Sequence, residues 1–300
     1  MALYEYGKSS LSAQSGWIRQ IVPLSTDLDK ISEELFALKT NGGEEYCGWV
    51  IKDAVANLEW SSDSHVYRAI LIAGNEPFTQ GPVNYGESCK AAIAKGIIVN
   101  TIHCGGMEEG IRTKWQDGAR LADGKYLVID HNRAVVHIEA PQDVEIAKLG
   151  VELNKTYVAY GTDGRVASER QFRQDMNASS LAPASGAVVQ RAVAKSSVNY
   201  NNAGWDLVDA AKSRDFKLED VKKADLPVEM QKLSERERKE FIEKKAKERD
   251  ALQVKIQQLN SEREKYVAAQ MKQPSATNTL DAVVTTAVRE QAAKRQFKFE

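Results

Sequence analysis

The sequence predicts an α/β fold: a doubly wound, mostly parallel sheet followed by an α-helical region. Three observations carry this. Two continuous apolar runs, Ala69–Ala73 (AILIA) and Ile97–Ile102 (IIVNTI), are separated by a helical stretch, which is the spacing of a βαβ unit and of a parallel sheet. All 19 glycines lie at or before Gly204, so the many-turned architecture is confined to the earlier part of the chain. Beyond Gly204 only Pro227 and Pro274 punctuate the sequence, which favours long helices. The expected division is an α/β domain over 1–160 and a helical extension over 161–300, with GTDG at Gly161–Gly164 as the exit loop.

The elements follow in order. Ala2–Tyr6 and Trp17–Leu24 are short runs rich in aromatic and β-branched residues, joined by a Gly/Ser-rich loop, and predict an antiparallel pair. Leu28, Ile31, Leu35 and Leu38 recur at helical spacing behind Thr26 or Asp27 as cap. The polar loop Thr40–Glu45 precedes a second helix marked by Val50, Ile51, Ala54, Val55 and Leu58, which ends near Trp60. Ala69–Ala73 reads as a strand buried on both faces. The loop Gly74–Pro82 leads to a helix over Asn84–Lys95, stopped by Gly96, and then to the second buried strand. His103–Met107 is the next loop. A helix over Glu109–Leu121 and strands at Tyr126–Ile129 and Val135–Ile138 complete this part. Gln142–Leu153 is one more helix packed on the core.

The helical half contains a short amphipathic helix around Trp205, Leu207, Val208 and Ala211, then a long charged helix over about 228–273. Of the residues from Glu229 to Lys272, 21 are charged, and both signs are mixed, as on a solvated face. Glu235–Lys239, Glu240–Lys244 and Glu243–Lys247 have the spacing of favourable pairs, each worth about 0.2–0.5 kcal/mol. Ile242, Leu252, Ile256, Leu259 and Tyr266 form a narrow stripe interrupted by Lys245, Arg249 and Arg263. The expectation is one arm of a hairpin, with Leu280–Ala292 returning, and a homo-oligomer or coiled coil through these helices as an alternative use of the stripe.

Composition narrows the function. A net charge of −1 argues against a general polyanion binder, and no nucleic acid is expected as partner. No apolar run approaches the roughly 18–20 residues of a membrane span, and residues 1–30 show no export signal. Cys47, Cys89 and Cys104 form no CxxC and read as buried free thiols. There is no phosphate-binding GxxxxGK[ST], HExxH, GxSxG or strand-following GxGxxG. Asp130, His131 and His137 flank a turn, and His103 beside Cys104 lacks a visible orienting group. What remains is oxygen chemistry. Thr40, Asn41, Glu44 and Glu45 lie on one loop, and Asn75, Glu76, Thr79 and Gln80 on another, a set that suits a hard cation such as Mg²⁺ or Ca²⁺ if the loops converge. Otherwise these residues brace turns and complement a helix dipole.

The ordered series ALYEYG, WIRQIVPLSTDLDKISEEL, TNGGEEYCGWVIKDAV, AILIAGNEPFTQGPV, GIIVNTIHCG and WQDGARLADGKYLVID resembles a von Willebrand factor type A (VWA) domain over residues 1–140, closest to a bacterial group with a strand-end AGNEPFTQG. The resemblance implies a doubly wound sheet with a metal-ion-dependent adhesion site on its upper edge, binding a protein partner through Mg²⁺ (or Ca²⁺ or Mn²⁺) without catalysis. Carried over by position, the second-loop ligand falls on Glu44, with Thr40 as an offset alternative. The strand-end Asp position falls on Gly74, with Asn75 and Glu76 beside it. The DxSxS loop is absent, so the implied site is degenerate. ALYEYG matches the family's second strand. Three arrangements accommodate that: a shortened chain, which also leaves room for a lost export signal and a cell-envelope location; a sheet closed by pairing Ala2–Tyr6 with Ala69–Ala73; or a strand from another chain. The competing readings are a small-ligand hydrolase using His103, Cys104 and Glu76, and a structural protein acting through its C-terminal helices.

Overall fold

The computed structural model describes residues 1–39, 41–129, 138–181, 186–271 and 280–297. Thr40, Asp130, His131 and His137, and the strand expected from Val135, lie outside the described residues. The protein is mixed α/β, with a three-stranded parallel sheet, many helices and a long C-terminal helix. Its chain forms two compact units: residues 1–24, 37–135 and 278–300 make the first, and 25–36 with 136–277 the second.

The first unit starts with β1 (Leu3–Tyr6) and β2 (Ile18–Val22), the expected antiparallel pair. Then come α2 (Cys47–Asn57), β3 (Ala69–Gly74), α3 (Tyr85–Ala94), β4 (Ile98–His103), α4 (Met107–Arg112), α5 (Trp115–Leu121), β5 (Tyr126–Val128) and, from the far end of the chain, α12 (Leu280–Ala293). Strands β3, β4 and β5 pair in that order, all parallel. Asn84 caps α3 by accepting from the N–H groups of Gly86 and Glu87, and Gly96 follows its end at φ +69°. The single helix expected over Glu109–Leu121 is two, because Lys114 adopts a left-handed conformation, φ +74°, between α4 and α5.

Alternation along the strands decides what each face meets. Ile70, Ile72, Val99 and Thr101 share one face; Ile72 and Val99 pack in a core with Cys47, Ile51, Phe78, Cys89 and Trp115 from the helices and loop above. Leu71 and Asn100 share the opposite face. There Asn100 and Gln291 of α12 exchange two amide hydrogen bonds, at 3.1 and 2.7 Å, while Tyr67 Oη donates to Gln291 and the Lys125 N–H to Asn100. That mutual pairing is what permits amides to be buried. The helix expected to return along the long charged helix is thus part of the first unit's packing.

β4 is buried throughout, as expected of a central strand. β3 departs from the expectation: Leu71 is 49% exposed and Ala73 is exposed, because β3 is the edge of the sheet and its outer face is bare there. Among the described residues β1 pairs with β2 only, so the closed arrangement with β1 laddered onto β3 does not occur. One side chain links the two strands: Tyr6 Oη donates to the Ala73 carbonyl at 2.7 Å.

The second unit is helical: α1 (Leu28–Ala37), α6 (Asp143–Asn154), α7 (Gly164–Ser180), α8 (Ala187–Lys195), α9 (Leu207–Ala210), α10 (Val228–Gln231) and α11 (Glu235–Met271). Asp27 accepts from the Lys30 N–H and starts α1. Ser234 and Glu237 form a reciprocal capping box that starts α11 after a break from α10. None of the three charge pairs expected on α11 forms; Arg236 pairs with Glu240 and Lys245 with Glu248 instead.

The stripe on α11 also differs from its reading. Its most buried positions are Ile242, Arg249, Ile256 and Arg263, seven residues apart, so the two arginines belong to the seam. Arg249 is fully buried and donates all five of its N–H groups, to Asp206, Asp209 and Thr156, with its guanidinium 4.0 Å from the Tyr157 ring centre. Arg263 reaches Asp143 at 2.7 Å. Ile256 packs with Ile146, Leu153, Val189 and Ala192, so this face is covered within its own unit. A second ionic network joins Arg191 to Asp29 and Asp175, and Lys195 to Asp175 and Asn154.

Candidate functional site

The loops singled out from sequence converge at the carboxyl ends of β3 and β4, the edge where open parallel sheets hold ligands. The residue at their centre is Glu45. Its N–H donates to Gln80 Oε1 at 2.7 Å, and its carboxylate Oε2 accepts from the N–H groups of Asn75 at 3.0 Å and Glu76 at 3.3 Å. One side chain thereby stitches the loop after α1 to the loop after β3. The Cys104 N–H donates to the Gly74 carbonyl at 2.7 Å and brings the third loop to the same edge.

Small residues make this approach possible. A Cβ on Gly74 would meet the Glu45 carboxylate and Tyr6 Oη, and one on Gly43 would strike the Gly7 carbonyl. Gly42 takes φ +63°, a left-handed turn that any side chain resists. The Trp115 indole N–H donates to the Glu76 carbonyl at 2.9 Å and the Phe78 N–H to the Thr113 carbonyl, fixing the Gly74–Pro82 loop from below.

The electrostatics are those of a half-buried acid. Burial pushes the Glu45 carboxyl above its ordinary value; the two backbone N–H groups oppose this, and the nearby Glu76 charge adds to it. Burial, with Glu45 behind it, also pushes the Cys104 thiol up. Cys47 is shifted the same way by burial, and Tyr6 Oη lies 3.7 Å from its sulfur. All three cysteines are free.

Of the residues chosen from sequence, Asn75 and Glu76 stand at this edge, Asn75 exposed and Glu76 half-buried. Glu44 is exposed on the neighbouring loop, while Glu45 turns inward to the strand end. Thr40 is outside the described residues. Tyr6 and Gln80 join the edge through their hydrogen bonds; Gln80 was within the loop reading, and nothing in the sequence marked Tyr6. His103 is buried against Trp115, with ring centres 5.6 Å apart. Among the described residues no three His, Cys, Asp or Glu side chains gather as a ready-made metal cage, so a cation here needs amide or partner oxygens to complete its shell.

No helix among the described residues is long and apolar enough to cross a membrane. Comparisons with protein-family models, curated proteins and solved structures return no match to this chain.

Proposed function

We propose that the protein is a non-catalytic binding protein whose first unit, VWA-like and doubly wound in plan, grips a protein partner along the edge formed by residues 41–46, 74–80 and 104–107. The observation that carries this reading is the convergence of three loops on the carboxyl ends of β3 and β4, tied together by Glu45. A parallel three-stranded sheet with helices on its faces supports the family likeness.

Within this reading Mg²⁺, or Ca²⁺ or Mn²⁺, is held by Glu44, Asn75 and Glu76, with Thr40 in reserve, and a carboxylate of the partner completes the shell. The donors are all hard oxygens, and the Glu76 charge beside Glu45 adds to the negative field a divalent cation would neutralise. Two carboxylates and an amide make a weak site, in the range of about 10⁻⁴–10⁻³ M typical of sparse oxygen sites. A nucleophilic use of Cys104 is disfavoured by the upward shift of its thiol, since nucleophiles need the opposite.

Calorimetric titration tests the cation. Binding of Mg²⁺ or Mn²⁺ in the millimolar range, lost in Glu76→Gln and weakened in Asn75→Ala, is the expected result. No heat and no thermal shift up to about ten times that range would remove the cation from the account.

A further inference from the structure

The opposite end of the sheet holds a second concave site that the binding edge does not use. It lies where α2 ends, β3 begins and α3 ends, as an open hollow of about 360 Å³ lined among others by Val55, Leu58, Trp60, Arg68 and Lys95. That volume is at the lower end of the range for small-molecule sites. We propose that this cavity binds a small oxyanion, a phosphate or carboxylate, carried on a flat apolar ring.

The ring's place is set by Trp60. Its indole N–H donates to the Ala54 carbonyl at 2.9 Å, which locks the ring as a wall beside Val55 and Leu58. A fixed aromatic face loses little entropy when a second ring stacks on it.

The anion's place is set by cations. Arg68 Nη1 donates to the Ser61 carbonyl at 2.7 Å, and Lys95 Nζ to the Val55 carbonyl at 3.0 Å. Just behind them, a point beside the Gly96 Cα lies within 3.2 Å of both Arg68 Nη2 and Arg295 Nη2. Arg295 also follows the end of α12 and turns toward the Gly96 carbonyl. None of the three has a carboxylate within ion-pair distance among the described residues, and Glu59, exposed, is the one acid lining the cavity. Helix ends explain part of this gathering, since a helix C-terminus carries about −0.5 of a charge. Three such ends offset about half of three full positive charges, and Glu59 with Asp63, whose carboxyl feels Arg68, offset more. Arg68 Nε is shielded from solvent with no hydrogen-bond partner, so the guanidinium must turn to offer its Nε–Nη2 edge to a ligand. Leaving a charged donor unmade is costly, and a bidentate oxyanion is the ligand that guanidinium geometry fits. Phosphate and carboxylate share that geometry, so the chemistry named is the oxyanion with its ring.

The test titrates the full chain with AMP and 2-naphthoate, as ring-bearing phosphate and carboxylate, and with inorganic phosphate and adenosine as the two halves. The expected result is binding of at least one ring-bearing anion, tighter than either half, weakened about tenfold or more in Arg68→Gln and in the exposed-site variant Lys95→Gln, with Trp60→Leu losing the ring's share. Melting curves on each variant separate loss of binding from loss of fold; Lys95→Gln keeps the test usable if Arg68→Gln unfolds. No saturable binding of either ring-bearing anion, or binding unchanged in a folded Lys95→Gln and Arg68→Gln, would overturn the proposal.

Discussion

Arg249 meets Asp206 through two guanidinium nitrogens, at 2.6 and 3.1 Å, in a site from which water is excluded on both sides. The pair joins α11 to the start of α9, 43 residues earlier, and Asp206 also accepts from the Val158 and Asp209 N–H groups. All five Arg249 N–H groups and both Asp206 carboxylate oxygens find partners here, so the arginine is a fixed point of the second unit's packing rather than a break in an apolar stripe.

Removing it therefore leaves the buried Asp206 without its cation, while Asp209 keeps Lys212 at 3.1 Å. Arg249→Ala should destabilise the second unit by about 3–5 kcal/mol, the range for breaking a buried pair from one side. Arg236→Ala, whose exposed pair with Glu240 is screened, should cost less than about 0.5 kcal/mol. Urea unfolding followed by circular dichroism compares the two; equal effects would contradict the assignment.

The Asp175 network sets an acid limit. Burial alone would raise the Asp175 carboxyl, but Lys195 and Arg191 outweigh it and hold it below its ordinary value. Its contribution is therefore complete above the unfolded value of about 3.9 and lost as pH falls through the lower folded value. Glu45 has the reverse sign: raised by burial, it favours folding at low pH and gives up that contribution as pH climbs above about 4.3. Glu45→Gln keeps the acceptor for Asn75 and Glu76 while removing the titration. The melting temperature of this variant relative to the parent should rise as pH climbs from about 4 to 7, because the parent alone loses the Glu45 contribution, and a constant difference would contradict the shift.

How much of this was legible in the sequence follows from range. The cap at Asp27, the helix starting near Asn84, the strand at Ile98–His103 and the stop at Gly96 depend on a few neighbouring residues, and local pattern suffices. Arg249 and Arg263 misled because their acids lie 43 and 120 residues away, where no periodicity can register them. The reading of β3 as buried on both faces failed for a related reason: AILIA records apolar residues, not whether a neighbouring strand or helix exists to cover Leu71. The loop site was read from residue types, but the choice between Glu44 and Glu45 rests on backbone turning at Gly42 and Gly43, which sequence spacing does not specify.

The bare edge at β3 has a consequence for handling. An edge strand with an exposed Leu71 is a template for association between chains. Leu71→Lys should change stability by less than about 0.5 kcal/mol yet reduce concentration-dependent association, read by light scattering. Association undiminished in that variant would place the sticky surface elsewhere.

Backbone fit at the loop edge is tested by Gly43→Ala, where the new methyl meets the Gly7 carbonyl rather than a movable side chain. A cost of about 1–3 kcal/mol is expected, together with loss of metal response in calorimetry. A fully stable variant would mean that the 41–46 loop is not held as described.

The central claim, that the Glu45-tied loop edge is the binding surface, is tested most directly by Mn²⁺ as a paramagnetic probe in amide-resolved NMR. Selective broadening of the Glu44, Asn75 and Glu76 resonances at substoichiometric Mn²⁺, reversed by excess Mg²⁺ and absent in Glu76→Gln, is the predicted result. Broadening centred on the mixed-charge surface of α11, or spread evenly over exposed acids, would contradict it.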